Sequence, residues 1–536
     1  MTKDASKTCG EVLVELLQSY GIEIVFGIPG VHTVELYRGL PNTGLRHITP
    51  RHEQGAGFMA DGYARATGKP AACFIISGPG MTNIITAMAQ AYSDSVPMLV
   101  ISSVNNSHEL ALGGGRLHEL PSQRQLVSGV SVFSHTVARA SELAEVLARA
   151  FAVFDSARPG PVHIELPLDV ITAPMSAENL PKVGKRYRSG PSAQAIMDAT
   201  TMLQGASRPF IVLGGGTQDA ADEARQMVDR LGIRTALTVN AKGVLPPDHP
   251  LNLGSRLPQR PVLDALEAAD VVLAIGTELG ETDTLLFDDK LELNGQVIRV
   301  DIEPEQMTRN VLPAISICAD AGLTMKALSE AMADITPFNH EAEVITLRDD
   351  SDALAPAAYR KHGLFVDLIA DTLPGVVVAG DSTQPVYGAN LFYEAAQPRR
   401  YFNSSTGYGT LGYGLPAALG AKLGLPDTPV VSLIGDGGLQ FTIAELATAV
   451  ELELGVPILV WNNQGYGEIK RYMLERDIPT IGVDIYTPDF IAIARGFGCE
   501  AVSVNTRDEF IDALRRADQG NKPTLIDIAE HLALDW

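Results

Sequence analysis

The chain has 536 residues, too many for one hydrophobic core, and roughly 100–200 residues per domain predicts about three domains. A net charge of −23 excludes nucleic acids and anionic membrane surfaces as partners, because both would be repelled. A hydrophobic content of 46%, four scattered cysteines, no signal-type N-terminus and no apolar run of about 18 residues predict a globular, cytoplasmic protein that does not span a membrane.

Short β-branched segments alternate with longer helical patterns along the whole chain. The predicted strands, in chain order, are residues 72–76, 98–101, 210–213, 271–275, 297–302, 376–379, 430–434 and 458–461. This alternation is typical of parallel sheets covered by helices. Two segments rich in Pro, Gly, Ser and charge, roughly 173–192 and 336–356, are interpreted as linkers. The sequence therefore predicts an α/β protein of three doubly wound parallel-sheet domains, near residues 1–175, 190–340 and 355–536.

The outer two domains contain similar segments. Residues 71–80 run from a strand into a glycine turn and are followed by a helical pattern and the pair Val96-Pro97, while residues 430–437 lead in the same way to Val456-Pro457. The intervals between turn glycine and Val-Pro pair are close, 18 and 21 residues. We interpret this as one βαβ unit used twice, with chance similarity of two such units as the alternative.

Polar residues follow two successive strands of the third domain. Asp436 lies between two glycines after one strand, and Asn463 follows the next strand after an interval that fits one crossover helix. The carboxyl ends of neighbouring parallel strands meet at one crevice, where α/β sheets bind ligands. Asp436, the amide oxygen of Asn463 and the carbonyl of Gly465 are oxygen ligands suited to Mg²⁺ carrying a diphosphate. A helix expected to begin near Gln440 would point its amides at that charge. The alternative is a tight turn before a helix.

With these residues the chain resembles the thiamine diphosphate (ThDP)-dependent enzyme superfamily, in the branch that holds acetolactate synthase, pyruvate decarboxylase and benzoylformate decarboxylase. Further matching segments occur in the family's order, at residues 26–30, 51–65, 77–83, 94–97 and 409–416. The resemblance implies that the three domains are a ThDP pyrimidine-binding domain, a central domain and a ThDP diphosphate-binding domain. It also implies ThDP and Mg²⁺ as cofactors and a small 2-oxo acid as substrate.

The resemblance also assigns roles to residues. Glu53 would exchange a proton with the pyrimidine ring, and the alternative is a surface charge capping the following helix. Leu411 would lie under the thiazolium ring, and the carbonyl of Gly409 would accept a hydrogen bond from the cofactor's amino group. The residues expected at the cofactor are Glu53, Ser382, Thr383, Gln384, Gly409, Leu411, Gly435, Asp436, Gly437, Gly438, Asn463, Gly465, Tyr466 and Gly467. Of these, Asp436, Asn463 and Gly465 are expected to bind the metal.

Two further residues bear on which member of the family this is. His118 stands where acetolactate synthases usually carry Gln in a Phe-Gln-Glu segment, which resembles the pocket histidines of decarboxylases; the alternative is a polar loop residue, and His32 and His52 are weaker candidates. Glu468 would favour a cationic substrate group such as a guanidinium, unless it pairs with Lys470 or Arg471. The central domain lacks GxGxxG and Gly-Met-x-Gly segments, so no flavin is expected.

Segments 8–13, 30–38 and 115–121 are similar to 5-guanidino-2-oxopentanoate (2-ketoarginine) decarboxylases of arginine catabolism, which implies the product 4-guanidinobutanal. Three alternatives stay open. They are an acetolactate synthase-type carboligase acting on pyruvate, a decarboxylase of benzoylformate or branched-chain 2-oxo acids, and a catalytically silent protein of the ThDP fold. The resemblance implies a homodimer at minimum, with active sites at the dimer interface, and a homotetramer is expected.

Overall fold

The computed structural model describes residues 7–176, 184, 186–287, 289–534 and 536. These residues form three parallel sheets, each flanked by helices, and one short antiparallel pair of strands, β1 (Lys7–Thr8) with β8 (Pro174–Met175). The fold class predicted from the sequence, three α/β domains built on parallel sheets, is confirmed.

The first domain contains a six-stranded sheet in the order β3-β2-β4-β5-β7-β6. Its strands are β2 (Ile24–Gly27), β3 (Arg46–Ile48), β4 (Ala71–Ile75), β5 (Met98–Val104), β6 (Phe133–Thr136) and β7 (Pro161–Pro167). Its helices are α1 (Cys9–Ser19), α2 (Val34–Tyr37), α3 (Glu53–Thr67), α4 (Pro79–Ser93), α5 (Gln123–Ser128), α6 (Leu143–Ser156) and α7 (Leu168–Ile171). Alternate residues of the central strands belong to two different apolar clusters, so both faces of this sheet are buried.

The second domain contains a five-stranded sheet in the order β10-β9-β11-β12-β13. Its strands are β9 (Pro209–Leu213), β10 (Thr235–Leu237), β11 (Val271–Ile275), β12 (Gln296–Asp301) and β13 (Ile315–Cys318). Its helices are α8 (Ala193–Gln204), α9 (Ala221–Leu231), α10 (Arg260–Glu267), α11 (Glu281–Thr284) and α12 (Ala321–Ala331), and α13 (Glu341–Leu354) leads to the third domain.

The third domain contains a six-stranded sheet in the order β15-β14-β16-β17-β19-β18. Its strands are β14 (Val377–Gly380), β15 (Tyr401–Asn403), β16 (Val430–Gly435), β17 (Pro457–Asn462), β18 (Glu500–Val504) and β19 (Thr524–Ala529). Its helices are α14 (Ala357–Thr372), α15 (Gln384–Phe392), α16 (Gly414–Gly424), α17 (Asp436–Thr442), α18 (Glu445–Glu451), α19 (Gly467–Leu474), α20 (Phe490–Phe497), α21 (Arg507–Gln519) and α22 (Glu530–Ala533).

The first and third sheets have the same strand order. Taken in chain order within each domain, their strands lie as second, first, third, fourth, sixth and fifth. The segments compared in the sequence contain β4 and β5 in one domain and β16 and β17 in the other, so they occupy the same places in the two sheets. Shared topology therefore supports the duplication.

The structure contains all eight predicted strands, with ends shifted by three residues or fewer. Two details differ from expectation. The helix placed near Gln440 begins at Asp436, because the first turn forms directly at the end of β16. Part of the segment interpreted as the second linker is helix α13, in which Val344 is buried. The first linker includes residues 177–183 and 185, which lie outside the described residues.

Within the described part of the chain, no helix combines the length and apolar character needed to cross a membrane.

Candidate active site

Asp436 and Asn463 come together at the carboxyl edge of the third sheet, because β16 and β17 are paired neighbours. Asp436 is 1% exposed, and its carboxylate accepts a hydrogen bond from Thr487 Oγ1 at 3.3 Å. Burial raises the pKa of Asp436, while hydrogen bonds from the backbone of Asn463 and Gly437 oppose this rise. The two residues proposed to bind a metal are therefore in direct contact.

Asn463 has an oxygen available for a ligand. Its amide nitrogen donates to Gln384 Oε1 at 3.0 Å, which turns Oδ1 the other way, and that oxygen is buried without a hydrogen-bond partner. A buried polar atom left unpaired is costly, so its environment fits a bound cation. The described residues contain no group of three or more His, Cys, Asp or Glu side chains that could hold a metal. A metal here would depend on one carboxylate, one amide oxygen and backbone carbonyls.

The glycines of this edge are packed where side chains would collide. A Cβ at Gly437 would lie 2.7 Å from the ring of Tyr466, and one at Gly467 would lie 2.5 Å from Asn463 Nδ2. Gly465 has a φ of +157°, and a Cβ there would lie 2.4 Å from the carbonyl of Val483. These glycines let the two strand ends and the following helix starts approach one another closely.

The segment after β14 lies against the same edge. Thr383 Oγ1 is close to Gly435, and Asp381 Oδ1 is close to Gly438, each about 3.1 Å from where a Cβ would be. Ser382 Oγ shares a hydrogen bond with the hydroxyl of Ser404 at 3.0 Å. The structure thus brings together residues predicted to lie at the cofactor, namely Ser382, Thr383, Gln384, Gly435, Gly437, Gly438, Tyr466 and Gly467.

Asp381 and Thr487 were not among the predicted site residues. Asp381 is fully buried and accepts hydrogen bonds from the backbone of Ser382 at 2.8 Å and of Gly414 at 3.0 Å. Burial raises its pKa to about 6, and these bonds limit the rise. It ties the end of β14 to the start of α16. For Asp381 the available signal was an acid directly after a buried strand; Thr487 lies in a loop and gives no local signal.

Gly409 and Leu411 lie in the loop before α16. Gly409 has a φ of +79°, and its amide donates to the carbonyl of Ser404 at 2.9 Å. Leu411 is partly exposed and held from both sides. Thr410 bonds Gln90 Oε1 through its amide and its hydroxyl, and the carbonyl of Gly412 accepts a hydrogen bond from the hydroxyl of Thr442 at 2.7 Å.

Glu53 is the first residue of α3 in the first domain. Its side chain is partly buried, and Oε2 accepts a hydrogen bond from Asn83 Nδ2 at 2.9 Å, while Oε1 faces Gly80. His52 caps the helix instead, because its Nδ1 accepts from the amide of Gln54 at 3.1 Å. The Glu53 carboxylate is therefore directed at the turn after β4 and the start of α4.

Within one chain, Glu53 and the loop that carries Leu411 are attached to different parts of helix α4. Glu53 bonds Asn83, near the start of α4, whereas Thr410 bonds Gln90, seven residues further along. At 1.5 Å per residue the two attachment points are about 10 Å apart. The loop that carries Leu411 is thus attached well away from the Glu53 carboxylate of its own chain.

His118 lies at the other side of the turn that faces Glu53. Its backbone is packed against Gly78, its φ is +60°, and its Nδ1 is buried without a partner. Its ring meets that of His32 edge-on at 5.0 Å, and His32 Nδ1 is 2.6 Å from Ser77 Oγ. Burial, followed by the charge of His118, lowers the pKa of His32. His52, the other weak candidate, acts as the helix cap.

Glu468 is paired on its own helix. Its carboxylate binds the guanidinium of Arg471, three residues further along α19, and Arg471 also binds Glu475. Lys470 pairs with Asp484 instead. This pair is the local alternative that the sequence predicts for Glu468. The side chain of Glu468 is still 27% exposed.

A cavity of about 390 Å³ lies at the carboxyl ends of the second sheet, bordered by all three domains. Among the described residues its lining includes four arginines, and each is already paired with a carboxylate: Arg65 with Asp61 and Asp94, Arg158 with Glu278, Arg188 with Asp320, and Arg399 with Asp219. An anionic nucleotide would therefore have to displace existing ion pairs.

The structure is thus an α/β protein of three domains, and one edge of its third sheet gathers the residues predicted to bind a metal and a diphosphate. Family models described as thiamine pyrophosphate enzyme match the chain three times: the N-terminal TPP binding domain at residues 7–126, the central domain at 196–328 and the C-terminal TPP binding domain at 381–528. The chain belongs to the thiamine pyrophosphate enzyme family. Its two TPP binding domains support thiamine pyrophosphate, which is ThDP, as cofactor.

Three relatives show where in that family the chain lies. It is 44% identical to "Probable 2-ketoarginine decarboxylase AruI" of Pseudomonas aeruginosa, covering 98% of this chain and 95% of the relative. It is 32% identical to acetolactate synthase isozyme 1 large subunit of Escherichia coli K12, covering 97% and 93%. It is 31% identical to the acetolactate synthase large subunit of Corynebacterium glutamicum, covering 97% and 86%.

Proposed function

We propose that the protein is a ThDP- and Mg²⁺-dependent decarboxylase that converts 5-guanidino-2-oxopentanoate and one proton into 4-guanidinobutanal and CO₂. The observation that carries this proposal is the 44% identity, over 98% of the chain, to a relative named as a 2-ketoarginine decarboxylase, against 32% for an acetolactate synthase. Arginine catabolism is the corresponding metabolic role.

Bound ThDP supplies the electron sink that cleavage of a bond next to a carbonyl requires. In this chain Asp436, Asn463 and the carbonyl of Gly465 would hold Mg²⁺, and Mg²⁺ would hold the diphosphate. The unpartnered oxygen of Asn463 supports this assignment. The amides at the start of α17 add a favourable dipole for the negative charge.

Glu53 would hold and exchange the proton at the cofactor's pyrimidine ring, with Leu411 and Gly409 shaping the other side of the ring system. The separation of about 10 Å along α4 favours an arrangement in which the two groups at one site come from different copies of the chain. We therefore propose a homodimer with active sites at its interface, and pairing of dimers into a homotetramer.

His118 would face the substrate's carboxylate, where its buried, unpartnered Nδ1 can bond an oxygen or deliver a proton. Glu468 would bind the guanidinium of the substrate, sharing or replacing its present contact with Arg471. The second domain would work without flavin, which the paired arginines of its cavity support.

Substrate comparison tests the proposal. The rate with 5-guanidino-2-oxopentanoate should exceed the rates with benzoylformate and 2-oxoisovalerate, and equal or lower turnover of the guanidino acid would remove the substrate assignment. Because hydrogen bonds between charged groups contribute about 1.5–3 kcal/mol, Glu468→Gln should raise KM for the guanidino acid about tenfold to a hundredfold and leave KM for neutral acids unchanged. Glu475→Gln, which breaks the other ion pair of Arg471, is the matched control.

An acetolactate synthase-type carboligase is the second candidate, since several relatives of 28–32% identity carry that name. Incubation with pyruvate alone distinguishes the two functions. Rapid formation of acetolactate, at a rate comparable with decarboxylation of the guanidino acid, would favour the carboligase.

A further inference from the structure

Glu445 is a buried acid whose hydrogen bonds leave its own domain. It begins α18 in the third domain and is 1% exposed. Its Oε1 accepts hydrogen bonds from the backbone amides of Arg51 at 3.0 Å and His52 at 3.1 Å. Its Oε2 lies 3.2 Å from the Arg51 amide and accepts from Thr448 Oγ1 at 2.7 Å. The two amides belong to the residues immediately before Glu53.

The other side of this contact is shaped to receive the carboxylate. A Cβ at Gly55 would lie 2.1 Å from Glu445 Oε1, so only glycine at this position of α3 leaves room for the carboxylate. At the far end of α18, Glu451 pairs with the side chain of Arg51. The two ends of α18 therefore contact Arg51 in different ways: Glu445 bonds its backbone amide, and Glu451 pairs with its side chain.

The first domain makes the reciprocal contact. Gln90, on the helix that follows β4, bonds the amide and hydroxyl of Thr410, immediately before Leu411. Glu445, on the helices that follow β16, bonds the amides immediately before Glu53. Each domain thus fixes the backbone next to a proposed cofactor-binding group of the other domain.

We infer that Glu445 is a positioning residue for Glu53, fixing the backbone of Arg51 and His52 and with it the direction in which the Glu53 carboxylate leaves α3. This inference rests on the role proposed for Glu53. A carboxylate at the start of a helix is also stabilised by the helix dipole. Burial raises the pKa of Glu445, and the hydrogen bonds from Thr448, Arg51 and His52, followed by the charge of Arg51, limit the rise.

The test uses the full-length protein and two readouts. Glu445→Gln removes the negative charge, so the amides of Arg51 and His52 are left with a neutral oxygen as acceptor, and hydrogen bonds to a neutral group are about half as strong as those to a carboxylate. We expect backbone amide exchange at residues 51–54 of the cofactor-free protein to rise about tenfold. We also expect the thiazolium C2 proton of bound ThDP to exchange for deuterium about tenfold more slowly, with ThDP affinity unchanged within about threefold.

Two controls separate positioning from general loosening of the domain contact. Thr448→Val removes the donor on the Glu445 side and keeps the bonds to Arg51 and His52. Glu451→Gln breaks the exposed pair with Arg51 at the other end of α18. Both variants should leave amide exchange at residues 51–54 and C2 proton exchange near those of the unmodified protein. Slowing by either control equal to that of Glu445→Gln would overturn the inference.

Glu53→Gln separates this inference from the proposed function. If Glu53→Gln leaves C2 proton exchange unchanged, the role proposed for Glu53 fails. If Glu53→Gln slows exchange and Glu445→Gln changes neither readout, the positioning role fails. The double variant should be no slower than Glu53→Gln, because Glu445 acts through Glu53. Gly55→Ala, which displaces the Glu445 carboxylate without removing its charge, gives the same test should Glu445→Gln not fold.

Discussion

The orientation of the Asn463 amide makes a sharp prediction about metal binding. Gln384 accepts the hydrogen bond from Asn463 Nδ2 at 3.0 Å, and this leaves Oδ1 as the free buried atom. Gln384→Leu removes the acceptor, so Nδ2 becomes a buried donor without a partner. Such a group costs about 1–3 kcal/mol, and the amide can turn over and present nitrogen to the metal. Mg²⁺ affinity should fall about tenfold to a hundredfold.

The assay is a calorimetric titration with Mg²⁺ at saturating ThDP. It uses variants whose circular dichroism matches that of the unmodified protein. Gln384→Glu keeps an oxygen that accepts from Nδ2, so it should bind Mg²⁺ more tightly than Gln384→Leu does. If Gln384→Leu binds Mg²⁺ with unchanged affinity, the amide of Asn463 is not oriented by this contact, or Asn463 is not a ligand. Asn463→Ala then decides, because a ligand cannot be removed without loss of affinity.

Further predictions concern packing and pH. A Cβ at Gly420 would lie 1.9 Å from the carbonyl of Met59, so Gly420→Ala should destabilise the fold by about 1–3 kcal/mol in chemical denaturation, whereas Gly496→Ala, which meets nothing within 4 Å, should not. Gly437→Ala, with its Cβ 2.7 Å from a tyrosine ring, should weaken ThDP binding about tenfold in calorimetry. Burial lowers the pKa of His163 to about 3, so the unfolded chain takes up the proton first and stability is lost as pH falls below about 6.5. His163→Gln should remove about 1.4 kcal/mol of the loss between about pH 7.5 and 5.5.

The sequence was sufficient to predict the edge of the third sheet. Asp436 and Asn463 each follow a strand with a clear β-branched pattern, and parallel strands in succession place their carboxyl ends together. The glycines beside Asp436 and Asn463 could also be identified from the local sequence, because a motif of this kind requires close approach of the backbone to neighbouring groups. These predictions depended on local patterns only.

The remaining contacts depend on which elements pack together, and local patterns do not contain that information. Glu445 is separated from Arg51 by 394 residues, and Thr487 from Asp436 by 51, and neither has a spacing that identifies its partner. Glu468 is the opposite case. Its pair with Arg471 follows from i,i+3 spacing on a helix. The sequence alone therefore predicts both alternatives for Glu468, binding of a cationic substrate group and pairing with Arg471.

The duplication bears on the proposal that active sites are shared between two copies of the chain. Helices α3 and α16 follow the second strand of their domains and pack on each other reciprocally: a Cβ at Gly62 would meet the carbonyl of Ala417 at 2.1 Å, and one at Gly420 would meet that of Met59 at 1.9 Å. This is the pattern of two elements related by a twofold axis.

Under that relation Gly62 corresponds to Gly420. Glu53 lies nine residues before Gly62 and Leu411 nine residues before Gly420, so Glu53 corresponds to Leu411. Corresponding positions lie on opposite sides of a twofold axis, in agreement with their separate attachment at the Asn83 and Gln90 positions of α4. Two groups proposed to reach one cofactor are thereby kept apart within a chain, and a second copy could bring each of them a partner. The same packing that joins the domains of one chain therefore favours active sites shared between chains.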